Sequence, residues 1–94
     1  MPAATTTGQI PAVTAVPVTG AAPSLQLTLS NSGTTAVLYT LTVNDYAGTT
    51  QTVTVAGGGS SPVSWPVDAD GYYDVIITAN TSDGFKRRYA GRIA

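Results

Sequence analysis

The 94-residue chain holds no cysteine, no histidine and no glutamate. The missing cysteine rules out a disulfide-stapled mini-protein. Together the three absences remove the Ser-His-Asp triad, the Cys-His dyad and the ordinary zinc site. Charge of either sign is scarce: 10% of residues are charged, against about 25% in an average soluble domain. At a formal net charge of −1, the chain lacks the basic excess that nucleic-acid binding requires. Its polar surface falls to Thr, Ser, Asn, Gln and Gly, a composition common on exported β-domains, so secretion is the expectation. No run approaches the ~18 apolar residues of a transmembrane helix. The N-terminus has neither the basic nor the apolar region of a signal peptide, so an export signal is expected elsewhere in a longer polypeptide.

A helical stripe is missing too: no segment repeats its apolar residues every 3.6 positions between helix caps. What is present is alternation. Leu25, Leu27 and Leu29 interleave with Gln26, Thr28 and Ser30, the period of two that marks a half-buried strand. The same pattern returns in Val37, Tyr39, Leu41 and Val43, then in Val53 and Val55, then in Val63, Trp65 and Val67. Residues 72–79 and 85–93 complete it. Turn signals separate these runs: Asn31-Ser32-Gly33, Asp45-Tyr46-Ala47-Gly48, Gly57-Gly58-Gly59-Ser60-Ser61 read as a flexible connection, and Asp68-Ala69-Asp70-Gly71. Six strands about ten residues apart point to an all-β, antiparallel, immunoglobulin-like β-sandwich. Residues 1–23 contain four prolines. They are read as a linker, with residues 10–18 as a seventh strand at a sheet edge, where proline is tolerated. Residues 24–94 form the domain, and its size permits one core. That core is expected from Leu25, Leu27, Leu29, Val37, Tyr39, Leu41, Val43, Val53, Val55, Val63, Trp65, Tyr73, Val75, Ile77 and Phe85.

The charges are unevenly placed. The only cations, Lys86, Arg87, Arg88 and Arg92, fall within seven residues of one another, and the five acids are Asp45, Asp68, Asp70, Asp74 and Asp83. If residues 72–79 pair with 85–93 and share one core face, Asp74 stands opposite Ala90. It then lies diagonally between Arg88 and Arg92, in reach of both. Alternation sends Arg87 inward, so a bulge or a buried partner is expected there. The basic strand is a candidate anionic-surface or phosphate site, or else an ion-pair cluster with Asp74 and Asp83. Tyr46, in a loop, is the best aromatic candidate for an exposed contact, whereas Trp65 reads as core. Asp68-Ala69-Asp70-Gly71 lacks the further ligands of a calcium loop and reads as a turn. No catalytic residue, metal site or cofactor site is assigned.

Two stretches, Gly71-Tyr72-Tyr73-Asp74-Val75 and Gly84-Phe85-Lys86-Arg87-Arg88-Tyr89-Ala90-Gly91, resemble the C-terminal domain of bacterial phosphocholine-specific phospholipases C, its second copy in particular. In that family an aromatic-Tyr-Asp-hydrophobic strand precedes a Phe-x-Arg-Arg-aromatic-Ala-Gly strand. Leu27-Thr28-Leu29-Ser30-Asn31, Asn44-Asp45-Tyr46-Ala47-Gly48 and Val63-Ser64-Trp65-Pro66-Val67 add to the likeness, which covers about residues 24–93. Tyr72 stands where the family often has Trp. The resemblance implies a secreted parent enzyme that hydrolyses phosphatidylcholine, with its catalytic domain upstream and none of its catalytic residues here. It also implies that Asp74 with Arg88 or Arg87 pins the last hairpin. Three roles are open: an accessory domain facing a phospholipid membrane or the substrate, a structural domain packing against the catalytic domain, and a carbohydrate- or cell-surface-binding module.

Overall fold

The computed structural model describes residues 8–81 and 84–93. Seven strands follow one another: β1 (Pro11–Val18), β2 (Ser24–Asn31), β3 (Val37–Tyr46), β4 (Gln51–Val55), β5 (Ser60–Pro66), β6 (Tyr72–Ala79) and β7 (Lys86–Arg92). They form two antiparallel sheets, one ordered β1-β2-β5 and the other β4-β3-β6-β7. The protein is an immunoglobulin-like sandwich. Its fourth strand pairs with the third rather than joining the first sheet as in constant-type immunoglobulin domains. Among the described residues there is no helix.

Alternation decides which side of each strand is buried. Leu25, Leu27 and Leu29 of β2 face inward beside Trp65 of β5, and meet Val37, Tyr39 and Leu41 of β3 and Val75 and Ile77 of β6. A fully buried leucine contributes roughly 1.5–3 kcal/mol, so this stripe carries most of the fold's stability. Tyr39 and Phe85 pack edge to face with ring centroids 6.1 Å apart. Val43, Val53, Val63 and Tyr73 sit at the rim and are partly exposed, while Ile93 joins the core.

Two polar groups inside the sandwich tie distant segments together. The Tyr39 hydroxyl crosses from β3 to the other sheet, accepts from Ala12 N at 3.0 Å and donates to Ser30 O. Ala12 and Ser30 are partners in the β1–β2 ladder, so the hydroxyl braces β1 against β2. Asn31 is buried at the end of β2. Its Oδ1 accepts from Ile10 N and Gly33 N, and its Nδ2 donates to Thr35 O and Val55 O. All four capacities of the amide are filled, as burial demands.

Three expectations change. Gly57 to Ser61 is no flexible connection: Gly58 N donates to Asn31 O at 2.7 Å, Asn31 N donates to Gly59 O at 3.0 Å, and β5 already begins at Ser60. Asp45 and Tyr46 are not loop but the end of β3, where Tyr46 pairs with Tyr73 beyond a register shift between Val43 and Asp45. Gly8 and Gln9, read as linker, are bound to the domain: Gly8 O accepts from Thr34 N and Thr35 N, and Gln9 Nε2 donates to Ala36 O. The rest of that linker reading, residues 1–7, lies outside the described residues.

Each of the four sheet edges carries a feature that discourages further pairing. β1 contains Pro11 and Pro17, and β5 contains Pro62 and Pro66, which lack an N–H to offer a further strand. The β4 edge is only five residues long, and β7 carries Lys86, Arg87 and Arg88 in succession.

Candidate functional site

The β6–β7 ladder runs without interruption from Tyr72 opposite Arg92 to Thr78 opposite Lys86. With Tyr73, Val75 and Ile77 turned to the core, Tyr72, Asp74, Ile76 and Thr78 point outward. Across the hairpin Lys86, Arg88, Ala90 and Arg92 do the same. Asp74 faces Ala90, which leaves room for a long side chain to reach over from either diagonal.

Arg88 fills that room. Its Nε donates to Asp74 Oδ1 at 3.0 Å and its Nη2 to Oδ2 at 2.7 Å, a two-pronged contact that suits planar groups. A third donor, Asn44 Nδ2, reaches Oδ2 at 2.9 Å from the register shift in β3. The Asp74 side chain is only 6% exposed although its face is the outer one, whereas that of Arg88 is 57% exposed. A single layer of side chains thus covers the carboxylate. The hydrogen bonds from Arg88 and then Asn44 hold its pKa below the usual carboxylate range, against the opposing effect of burial. The same contact raises the pKa of Arg88. Among the described residues this is the one ion pair.

Arg92 does not share Asp74, contrary to the diagonal expectation. Its Nε donates to Asp70 O at 2.9 Å, and its guanidinium lies over the Tyr72 ring, 5.7 Å from the centroid. Arg92 pairs with Tyr72 at the end of the ladder, beside the turn carbonyl, and Asp74 already receives three donors. Asp83, the other acid proposed for the cluster, lies outside the described residues. Arg87 meets neither expectation, since the β6–β7 register has no shift here and, among the described residues, no buried acid faces Arg87. It is exposed, its guanidinium 4.4 Å from the Phe85 ring centroid and its Nη1 donating to Lys86 O. Because β7 is the outermost strand, an inward-pointing side chain at the rim reaches water by lying across the aromatic ring. Lys86 is exposed at the far end of the strand.

Tyr46 is 48% exposed and stacks on Tyr72, itself 39% exposed, with centroids 5.3 Å apart and planes 23° off parallel. Tyr46 has φ of 65°, a left-handed value unusual for a side-chain-bearing residue, and Asp45 Oδ1 accepts from its N–H at 2.8 Å. Two residues on, Gly48 lies so close to the Trp65 indole that a Cβ would stand 2.6 Å from the ring, which requires glycine there. Trp65 itself is buried in the core. Asp68 Oδ1 accepts from Asp70 N and Tyr72 N, so the acidic turn serves to position the start of β6.

The outer face of the hairpin therefore presents one strip, running from Lys86 through the covered Asp74–Arg88 pair to Arg92, Tyr72 and Tyr46. The sequence singled out its cations and Tyr46. It left Tyr72 unsettled, although alternation opposite in phase to core-facing Tyr73 places that ring outside, and it missed Asn44, whose role depends on the register shift. A family model described as bacterial phospholipase C, C-terminal domain, matches residues 11–92. The chain belongs to that family. The match begins at the first residue of β1 and ends at the last of β7, so this C-terminal domain includes the edge strand that lies before the stretch of sequence likeness. Membership places the domain after a catalytic domain in a phospholipase C polypeptide. No curated protein matches the chain.

Proposed function

We propose that the domain is a non-catalytic accessory part of a secreted, phosphatidylcholine-hydrolysing phospholipase C and brings the enzyme to its lipid through the outer strip of the β6–β7 hairpin. The observation that carries this reading is the exposed Tyr46–Tyr72 stack with Arg92 beside it, continued by Lys86 at the other end. Tyrosine suits the boundary between headgroups and water because its ring is apolar and its hydroxyl polar. Each cation near an anionic bilayer adds about 1 kcal/mol of attraction. The parent's preference for a phosphocholine headgroup rests on the sequence resemblance.

Co-sedimentation with phosphatidylcholine vesicles, with and without an anionic lipid, tests the reading. The chain is expected to bind at low salt and to bind the anionic vesicles better. Arg92→Ala should weaken that binding about fivefold, the equivalent of one surface cation. Absence of binding to either vesicle at low salt overturns direct lipid contact.

The second reading is a structural domain that packs against the catalytic domain. It is favoured by the Asp74–Arg88–Asn44 group, whose bonding is satisfied within the chain. On that reading, deletion lowers the stability or export of the enzyme and leaves its activity per folded molecule unchanged. A carbohydrate-binding module would want a longer row of exposed rings than Tyr46 and Tyr72 supply.

A further inference from the structure

Among the described residues, every charged side chain belongs to β3, β6, β7 or the turn that enters β6. None lies on β1, β2 or β5. The outer face of the three-stranded sheet is consequently free of charge. Thr14, Val16 and Val18 of β1 point out there, in register with Thr28, Gln26 and Ser24 of β2, and Val16 is 57% exposed. Ser64 continues the Gln26 row onto β5. A face of hydroxyls and Gln26 with the exposed Val16 and Val18 at one edge has nothing to attract an anionic bilayer. It does have the depletion of charge that marks the centre of protein–protein contacts.

We infer that this face is the docking surface for the preceding domain of the same phospholipase C polypeptide. The identity of the occupant follows from size and connection. Three strands about 4.8 Å apart and eight residues long at 3.3 Å per residue span roughly 350–400 Å². A free dimer of ordinary stability buries about 800 Å² per partner, so a second copy finds too little surface here. Contacts between domains of one chain range down to about 300 Å² per side. A covalent tether makes so small a contact sufficient by raising the effective concentration to about the millimolar level. The tether also reaches this sheet first: β1, the first strand of the domain, is its edge, and the residues before it are held at the end of the sandwich, Gly8 by Thr34 and Thr35 and Gln9 by Ala36 and Asn80. The opposite sheet keeps its charged strip clear of the contact. The inference rests on the family placement and not on lipid contact by that strip.

The chain has no cysteine, which permits a labelling test. Thr14→Cys and Ser64→Cys report on the proposed surface, and Thr52→Cys, exposed on the other sheet, is the reference. Thiol-labelling rates at each site are followed by peptide mass spectrometry in the whole phospholipase C polypeptide and in the 94-residue chain. A contact closed about 90% of the time slows labelling about tenfold, so Thr14→Cys and Ser64→Cys should slow by that factor in the whole polypeptide alone, with Thr52→Cys unchanged. Equal rates in the two proteins overturn the inference. So does slowing in the isolated chain that grows with its concentration, since that outcome assigns the face to a second copy. Vesicle binding by the isolated chain is unaffected by any of these results, which separates this test from that of the lipid reading.

Discussion

Asp74 shows how a carboxylate can be buried on the face of a sheet that looks toward solvent. Its neighbours supply three donors within hydrogen-bonding distance, and the flat guanidinium of Arg88 covers what they leave open. The pH dependence follows from the direction of its shift. A carboxyl whose folded pKa lies below its unfolded value of about 3.9 stabilises the fold above that value, and loses this contribution as pH falls through the folded pKa. In Asp74→Asn the two Arg88 contacts cannot both survive, because one lobe of the new side chain is itself a donor. At neutral pH the variant should be less stable by about 1–3 kcal/mol, the usual penalty for stranding buried partners of a charged group. In acid the gap should narrow, since the contribution of the ionised carboxyl is lost progressively as pH falls from the unfolded pKa toward the lower folded one. Urea unfolding of both proteins at pH 7 and near pH 2 measures this. A gap that stays constant across that range would mean that Asp74 ionisation does not stabilise the fold.

At the scale of the strand, β1 is the element with most to lose. It lies on an edge, contains two prolines and buries only part of its inner face, so packing alone holds it weakly. The ladder to β2, the Tyr39 hydroxyl at the Ala12–Ser30 rung and the Asn31 side-chain Oδ1 on Ile10 N supply the remaining hold. Tyr39→Phe keeps the ring and its contact with Phe85 while removing the brace, at a cost of about 1 kcal/mol. Hydrogen exchange should then quicken at the amide of Ala12 and along β1, with β6 and β7 unchanged. Uniform quickening would show that the hydroxyl supports the whole sandwich rather than its edge. The strands themselves were legible in the sequence, because Leu25, Leu27 and Leu29 or Tyr73, Val75 and Ile77 declare their faces by alternation alone. The β6–β7 register followed from the same pattern. Asn31 was not legible: an asparagine before Ser-Gly reads as a turn, and its burial depends on partners from Ile10 just before β1, from β4 and from the next loop. Nor could alternation choose between Arg88 and Arg92 for Asp74. That choice depends on the Asp70 carbonyl and the Tyr72 ring, which draw Arg92 away.

For the molecule as a whole, net charge is a poor guide to what it should bind. The total is −1, and a uniformly smeared charge of that sign would be repelled by an anionic membrane. The cations, however, lie together on β7, the Asp74 charge is covered by Arg88, and Asp68 is turned to backbone N–H groups. What a flat surface laid on the outer strip meets is the local field of Lys86 and Arg92 rather than the total. Salt distinguishes the two descriptions, because exposed charges are screened over about 10 Å at 0.1 M ionic strength and over much shorter distances above it. Binding to anionic vesicles at neutral pH should therefore weaken at least about tenfold between roughly 0.1 M and 0.5 M salt, as about 1 kcal/mol per cation is screened away. Tyr46→Ser should lower binding at both salt concentrations by a similar factor, since the aromatic contribution is not electrostatic. Affinity for anionic vesicles that is indifferent to salt would remove the basic strip from the contact and leave the tyrosine stack as its sole basis.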